Sequence, residues 1–366
     1  MQRIPIAVVL VLGLFCAALS GAEPVDSNRA EMVARAFIAK RSSEHSLAGR
    51  GAVRGGDGRI VLHVFALTPA GFVLATVDTV LPPVIGYSLR NQFLLEGPAF
   101  EHVASLFVAD VELRLKQAAQ LPHERLEERR RTWRWLVAGE LEKRQVTYWP
   151  PDGTTTTGGW VETQWSQSSP YNDDCPVDPV TAIRSIAGCP AVAMAQILNY
   201  HRTTNGARLD DGDDYYHSYA GRNYWIDDDW EDGDFPSFPT LAGSLDTLDD
   251  HYRGGVPADA ADAAALVFAC GVAAEQVYTS SASGTFGVAQ AVQAYGRFGF
   301  QRFELLDEGD ADLYPRMEQN MKDGRPVHLA VVDPGWTMGH NVVIDGFCSD
   351  GDFHLNFGWG GSYDGW

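Results

Sequence analysis

Cys189 lies where a helix is predicted to begin, between Gly188 and Pro190. Residues 190–201 are mostly small or aliphatic, and the first charged residue after Pro190 is Arg202, which predicts a buried helix. Proline is tolerated at the first helical position because its missing N–H would have no partner there. The unpaired amides and the positive end of the helix dipole lower a thiol pKa, which favours a nucleophilic thiolate. On this stretch alone, a small apolar core cysteine remains an equal alternative.

His340 and Asn356 could complete a catalytic set with this cysteine. His340 stands just before the apolar run of residues 342–346, and Asn356 follows it by 16 residues. That spacing suits a turn that returns a second strand alongside the first and brings an amide next to the imidazole. A thiol protease needs a thiolate, a histidine that protonates the leaving amine, and a group that orients the ring. The 151 residues from Cys189 to His340 are close to the roughly 130–150 of papain-like enzymes.

Several motifs together resemble the streptopain family of secreted bacterial cysteine peptidases, which have a papain-like fold and are made as zymogens. The matching segments follow one another in order, at residues 165–172, 188–201, 339–346 and 356–361. The first of them resembles the segment that supplies the oxyanion glutamine in that family, and here that residue is Gln167. A single Gly-Cys match would be weak, whereas this combination is specific.

The resemblance implies roles for five residues. Cys189 is expected to be the nucleophile, and His340 its proton partner and later general acid. Gln167 and the Cys189 amide are expected to stabilise the tetrahedral oxyanion. Asn356 is expected to orient His340, and Trp359 to shield the pair from water. No metal or organic cofactor is implied, and the family leads us to expect an apolar substrate side chain two positions before the scissile bond.

The resemblance also implies an α+β, papain-like fold. A helical part would carry the nucleophile, an antiparallel sheet part would carry the histidine and asparagine, and an α+β propeptide domain would precede both. Residues 1–22 have a basic start, an apolar middle and a small-residue end, which predict a signal peptide and a secreted or periplasmic product. We expect an inhibitory propeptide domain over 23–145, a cleavable linker over 146–160, and the catalytic domain over 161–366. The linker contains Pro150-Pro151-Asp152-Gly153 and four consecutive threonines.

Hydrophobic patterning predicts individual elements in both expected domains. Helices are predicted over 29–40, 101–143, 258–274 and 288–295, besides the one that begins near Cys189. Strands are predicted over 60–65, 71–77, 327–332, 340–348 and 353–357. His63 and His328 fall inside such strands and are interpreted as structural.

The composition limits the class of partner. A formal charge of −20 argues against nucleic acid or an anionic membrane. Protein or peptide substrates are expected, with the chain's own propeptide as an intramolecular inhibitor. One disulfide among Cys175, Cys270 and Cys348 is possible, but the sequence does not determine whether it forms or which pair it joins. The acidic stretch 210–234 invites a calcium interpretation, but it lacks the glycine and distal glutamate of an EF-hand loop, so a solvated loop is favoured.

Two other functions stay open at this point. Phe357 stands where the family carries tryptophan, and the sequence stops at Trp366 where relatives continue. A secreted binding protein that kept the fold after losing catalysis would fit both departures. We also expect few residues beyond Gly361 to fix the far end of the Asn356 strand, so that residues 358–361 are held mainly by burial of Trp359. An amidase acting on cell-wall peptides is the second alternative, because it would use the same cysteine–histidine chemistry.

Overall fold

The computed structural model of the chain describes residues 23–139, 146–333, 335 and 338–366. The predicted signal peptide over 1–22 lies outside the described residues. Within them, no helix has the length and apolar character that crossing a membrane requires.

The N-terminal part is a four-stranded antiparallel sheet with helices on both faces. Its strands, in spatial order, are β1 (Ser46–Arg54), β2 (Ile60–Thr68), β3 (Phe72–Thr76) and β4 (Val84–Ser88). Its helices are α1 (Ser27–Arg41), α2 (Pro98–Ala118) and α3 (His123–Ala138). One apolar cluster joins α1 and α3 to one face of the sheet, and a second joins α2 to the other. All five residues of β3 are buried, as expected for a strand covered on both faces.

The second half of the chain contributes a helical core that surrounds the Cys189 helix. Its helices are α4 (Cys189–His201), α5 (Trp230–Gly233), α6 (Phe238–Gly254), α7 (Ala260–Ala273), α8 (Val288–Arg297) and α9 (Leu313–Lys322). Nine consecutive residues of α4, from Pro190 to Leu198, are buried. Eight of these nine residues are apolar and the ninth is Gln196, as in a helix that other elements cover on every side.

A second antiparallel sheet packs against this helical core. Its strands are β5 (Tyr148–Trp149), β8 (Val327–Val332), β9 (Gly339–Cys348) and β10 (Phe353–Asn356). Strand β9 is central, with β10 along one edge and β8 and then β5 along the other. A separate hairpin is formed by β6 (Tyr216–Tyr219) and β7 (Arg222–Trp225). The expected combination of a helical part, an antiparallel sheet part and a preceding α+β domain is confirmed.

Most predicted elements are confirmed, and the differences have local causes. The stretch 101–143 was predicted as one helix, but α2 and α3 are separated at Pro122, which precedes α3. Strand β1, helix α6 and the β6–β7 hairpin were not predicted. The hairpin lies in the acidic stretch 210–234, where a ring stack between His217 and Tyr224 supplies packing that charge patterning does not reveal (centroids 4.4 Å apart).

The predicted linker over 146–160 contains structured residues. Tyr148 and Trp149 form β5 and pair with Cys348 and Phe347 of β9. The Trp160 N–H donates to the Asp345 carbonyl. Between these two anchors, residues 151–154 and 156 are exposed. The exposed part of the linker that the structure describes is therefore mainly a short loop at 151–156.

The C-terminal residues join the two sheets, which corrects the expectation that little beyond Gly361 fixes the far end of the Asn356 strand. Gly365 exchanges two backbone hydrogen bonds with Leu355 of β10, at 2.8 and 3.1 Å. Trp366 exchanges two more with Tyr87 of β4, at 2.7 and 2.8 Å. The segment is held chiefly by strand-like pairing on both sides, because it runs between an edge of each sheet.

Deleting Gly365 and Trp366 should destabilise the precursor. The deletion removes four backbone hydrogen bonds, each worth about 0.5–1.5 kcal/mol, so we expect a loss of roughly 2–6 kcal/mol. Urea unfolding of both proteins measures the change. Phe286→Ala is the control, because this side chain is 73% exposed and its removal should leave the midpoint unchanged. An unchanged midpoint for the deletion would show that the pairing contributes nothing.

Candidate active site

Cys189 is the first residue of α4, and its position depends on the turn before it. Gly188 has a φ of 85°, a conformation that glycine adopts without strain. A Cβ on Gly188 would lie 2.5 Å from Oε1 of the buried Gln276. Gln276 also donates from Nε2 to the Ala187 carbonyl at 2.8 Å. The tight approach of Gln276 to this turn therefore fixes where the thiol stands.

Gln167 lies beside the same turn. The Ala187 N–H donates to the Gln167 carbonyl at 2.9 Å, and the Gln167 side chain is buried. The chain segment that carries the glutamine thus runs next to the start of α4, two residues before Cys189.

His340 is buried on the other side of β9 and makes no hydrogen bond to Cys189. Its Nε2 donates to the Phe357 carbonyl at 2.8 Å, and its Nδ1 has no hydrogen-bond partner among the described residues. Its ring stacks against Trp359, with centroids 5.7 Å apart and an interplanar angle of 18°. Burial lowers the pKa of His340 to about 4, so the ring is neutral at neutral pH.

Asn341, which sequence reasoning did not single out, takes the place next to the thiol. Its Nδ2 lies 3.6 Å from Sγ of Cys189. Its Oδ1 accepts from Nε2 of His328 at 2.8 Å, and His328 Nδ1 lies 3.3 Å from the Tyr295 hydroxyl. Burial lowers the pKa of His328 to about 4. The strand pattern could have indicated Asn341, because neighbours in a strand point to opposite faces and only one of them can face α4.

The expected thiolate is not favoured in this arrangement. Burial raises the pKa of Cys189, and the hydrogen bonds from Asn341 offset only part of that increase. The prediction from the helix dipole alone is therefore wrong for this state of the protein, because desolvation of the charged thiolate outweighs it. Cys175, Cys270 and Cys348 are free thiols, so the disulfide that the sequence left open is not formed.

Asn356 contacts α4 rather than the His340 ring. Its Nδ2 donates to the Thr163 carbonyl at 2.9 Å, and its Oδ1 accepts from Nε2 of Gln196 at 3.1 Å. The Gly358 N–H also donates to Oδ1 of Asn356, at 3.0 Å. The structure thus places Trp359 against His340 but joins Asn356 to other partners.

A residue from the N-terminal domain completes the surroundings of His340. His102 of α2 donates from Nε2 to the Gly339 carbonyl at 2.9 Å, and its ring meets the His340 ring edge-on, with centroids 5.3 Å apart. Burial lowers the pKa of His102, and nearby His340 lowers it further. Sequence reasoning missed His102, since no motif surrounds it and only its place on α2 brings it here.

An apolar cluster extends this contact between the two domains. Phe93 meets the Tyr363 ring edge-on, with centroids 5.0 Å apart. Phe357, Trp359 and Tyr363 belong to the same cluster as the α2 face of the N-terminal sheet. The N-terminal domain therefore buries the aromatic wall on which His340 rests.

Comparisons with known proteins agree with this architecture. Residues 165–366 match the peptidase C10 family, and residues 22–115 match the Spi protease inhibitor family. The chain is 25% identical over 318 residues to streptopain of Streptococcus pyogenes, covering 83% of this chain and 72% of that one. It is 26% identical over 384 residues to the thiol protease/hemagglutinin PrtT of Porphyromonas gingivalis, covering 97% of this chain and 40% of that protein. Prointerpain A of Prevotella intermedia shares the fold, with a TM-score of 0.54 and 20% identity over 87% of this chain and 91% of that one.

Acidification should destabilise the precursor through its buried histidines. The folded-state pKa of His340 lies at about 4, below the ordinary 6.5, so the unfolded chain binds more protons between these values. Stability is therefore lost as the pH falls from 6.5 towards 4, and His340 alone should cost roughly 2 kcal/mol between pH 7 and pH 5. Urea unfolding at the two pH values measures this loss.

His340→Phe is the matched variant for this measurement. Asp364 acts in the opposite sense, because burial raises its pKa to about 7, but it is present in both proteins. The difference in pH dependence between wild type and variant therefore reports His340, together with its effect on the pKa of His102. Equal pH dependence in the two would contradict the assignment.

Proposed function

This chain belongs to the peptidase C10 family and is a papain-like cysteine endopeptidase made as an inactive precursor; on that premise we propose that Cys189, His340 and Gln167 perform the reaction. The N-terminal domain acts as an intramolecular inhibitor of an enzyme that cleaves proteins. The observation that carries the residue assignment is the pair of neighbours in β9. Asn341 faces the Cys189 thiol, while His340 is held on the opposite face under His102.

Release of α2 would activate the enzyme by changing what covers β9. The His102 hydrogen bond to Gly339 and the aromatic cluster around Trp359 would be lost with the N-terminal domain. The first residues of β9 could then turn, so that His340 meets Cys189 and Asn341 leaves. Imidazole and thiol would form an ion pair, because each charged form lowers the free energy of the other at close range.

The reaction then follows from the chemistry of these groups. The thiolate attacks the scissile carbonyl carbon, and the Gln167 side chain and Cys189 N–H donate to the oxyanion that forms. The carbon–nitrogen bond breaks as the His340 imidazolium gives its proton to the leaving amine. Water then attacks the thioester while His340 accepts a proton, and the acid product leaves as the thiolate is restored. In the processed enzyme we assign Asn356 to orienting His340 and Trp359 to excluding water.

The finer features of the precursor are also part of this proposal. We place the signal peptide at 1–22, the inhibitory domain at 23–145, the linker at 146–160 and the catalytic domain at 161–366. The exposed loop at 151–156 is the part of the linker most open to a protease. The signal peptide would direct export, the substrates would carry an apolar side chain two positions before the scissile bond, and neither nucleic acid nor membrane would be a partner.

The two alternative functions are now weighted differently. Membership of a peptidase family does not favour a secreted binding protein. Although Phe357 stands where the family carries tryptophan, Trp359 still stacks on the His340 ring. A cell-wall amidase would use the same pair of groups. Turnover of casein and of peptidoglycan fragments by the processed enzyme separates the two activities, and hydrolysis of the fragments alone would favour the amidase.

Labelling of Cys189 by a peptidyl epoxide tests the activation step. The precursor should label slowly, because its thiol is half-buried, protonated and unpaired with His340. The enzyme cleaved in the linker should label at least tenfold faster, and Cys189→Ala should neither label nor hydrolyse casein. His201→Ala is the control, since this histidine lies at the far end of α4. Equal labelling of precursor and processed enzyme would reject the proposal that α2 separates the pair.

Gln167→Ala tests the oxyanion assignment. Loss of one donor should lower kcat by about 10²–10³-fold with little change in KM, because the interaction strengthens only in the transition state. Gln164→Ala is the matched control from the same segment; its Nε2 donates to Asn91 of the N-terminal domain, a contact that processing removes. If Gln167→Ala stayed within a few-fold of wild type while Gln164→Ala lost activity, the donor would be Gln164 instead.

A further inference from the structure

Gln196 is a buried polar residue of α4 that the reaction itself does not use. It lies seven residues after Cys189, about two helical turns, so the two side chains share one side of the helix. Its side chain is fully buried. A polar group in such a place must find partners, or it destabilises the fold.

The amide of Gln196 is hydrogen-bonded at both of its polar atoms. Its Oε1 accepts from the Thr163 hydroxyl at 3.0 Å, from the Trp165 N–H at 3.2 Å and from Nδ2 of Asn356 at 3.3 Å. Its Nε2 donates to Oδ1 of Asn356 at 3.1 Å. Asn356 in turn donates to the Thr163 carbonyl at 2.9 Å, which closes the network.

This network joins three segments of the proposed active site: α4 with Cys189, the segment that leads to Gln167, and the segment that carries Asn356 and Trp359. Trp165 lies two residues before Gln167, so its N–H fixes the approach of the oxyanion segment to α4. The Gly358 N–H donates to Oδ1 of Asn356, so the side-chain amide of Asn356 also anchors the turn that leads to Trp359. A hydrogen bond between α4 and each of these segments sets their distances from the nucleophile.

We propose that Gln196 is a positioning residue for acyl transfer, which acts by holding the Gln167 segment against α4. This inference rests on the proposed function, because it requires Gln167 to be the oxyanion donor. The contribution comes from the acceptor Oε1, which receives the Trp165 N–H and the Thr163 hydroxyl. A glutamine displaced by about 1 Å would no longer meet the oxyanion in the transition state, a loss of about 10²-fold.

Two substitutions separate this role from simple packing. Gln196→Met keeps the length of the side chain but removes the acceptor, and we expect kcat to fall about 10²-fold. Gln196→Glu keeps an acceptor oxygen for Trp165 and Thr163, and it should lose less than tenfold. Thr204→Val is the control, because it removes a different buried hydrogen bond, to Asp249, and should leave kcat unchanged.

The measurement compares two reactions of each enzyme after processing in trans by wild-type enzyme. Peptide hydrolysis needs the oxyanion donor, whereas alkylation of Cys189 by iodoacetamide does not form an oxyanion. The inference is supported if kcat falls in Gln196→Met, recovers in part in Gln196→Glu, and both variants are alkylated within about threefold of the wild-type rate. A parallel fall of both reactions, equal loss with Met and Glu, or no loss would overturn it.

The test remains decisive if the methionine variant fails to fold. Thr163→Val removes one of the three hydrogen bonds to Oε1 and should lower kcat several-fold at an unchanged alkylation rate, while unchanged kcat would overturn the inference. Failure of the proposed function looks different. In that case Cys189→Ala would retain hydrolysis, or Gln167→Ala would match the wild type, before any variant of Gln196 was compared.

Discussion

The alternation of side chains along β9 is the constraint on which the precursor depends. His340 and Asn341 are neighbours in an extended strand, so they cannot both face α4. In the precursor Asn341 lies at the Cys189 thiol and His340 lies under the N-terminal domain. An exchange of His340 for Asn341 at the face of α4 needs only a local movement of the backbone, yet it decides whether the Cys189 thiol has a proton partner.

Burial rather than opposite charge holds the inactive arrangement. His340 and His102 are both neutral histidines in an apolar setting, each donating one N–H to a backbone carbonyl. Around them, Phe93, Tyr363 and Trp359 form an aromatic cluster shared by the two domains. Such a contact weakens when the histidines gain protons, because two cations would then face each other without water. The strand-like pairing of Trp366 with Tyr87 adds backbone hydrogen bonds that are insensitive to pH.

Sequence patterning was sufficient for the elements that carry Cys189, His340 and Asn356, but not for the faces that these elements present. The helix that begins at Cys189 and the strands around His340 and Asn356 follow from short apolar runs bounded by glycine, so they could be located in advance. The face that each residue of β9 presents depends on the register with β8 and on packing against α2, neither of which is local. His102 shows the same limit, since an amphipathic helix carries many polar residues and only docking selects one of them.

The hydrogen bonds that hold α4 in place affect how the Cys189 thiol can be activated. Gln196 and Asn356 fasten the helix with neutral amides, and the pKa of Cys189 responds to burial and to Asn341. With neutral anchors, the arrival of His340 is the event that brings an opposite charge to the thiolate. The same rigid frame can therefore hold an unreactive thiol before processing and a reactive one afterwards, without any rearrangement of α4 itself.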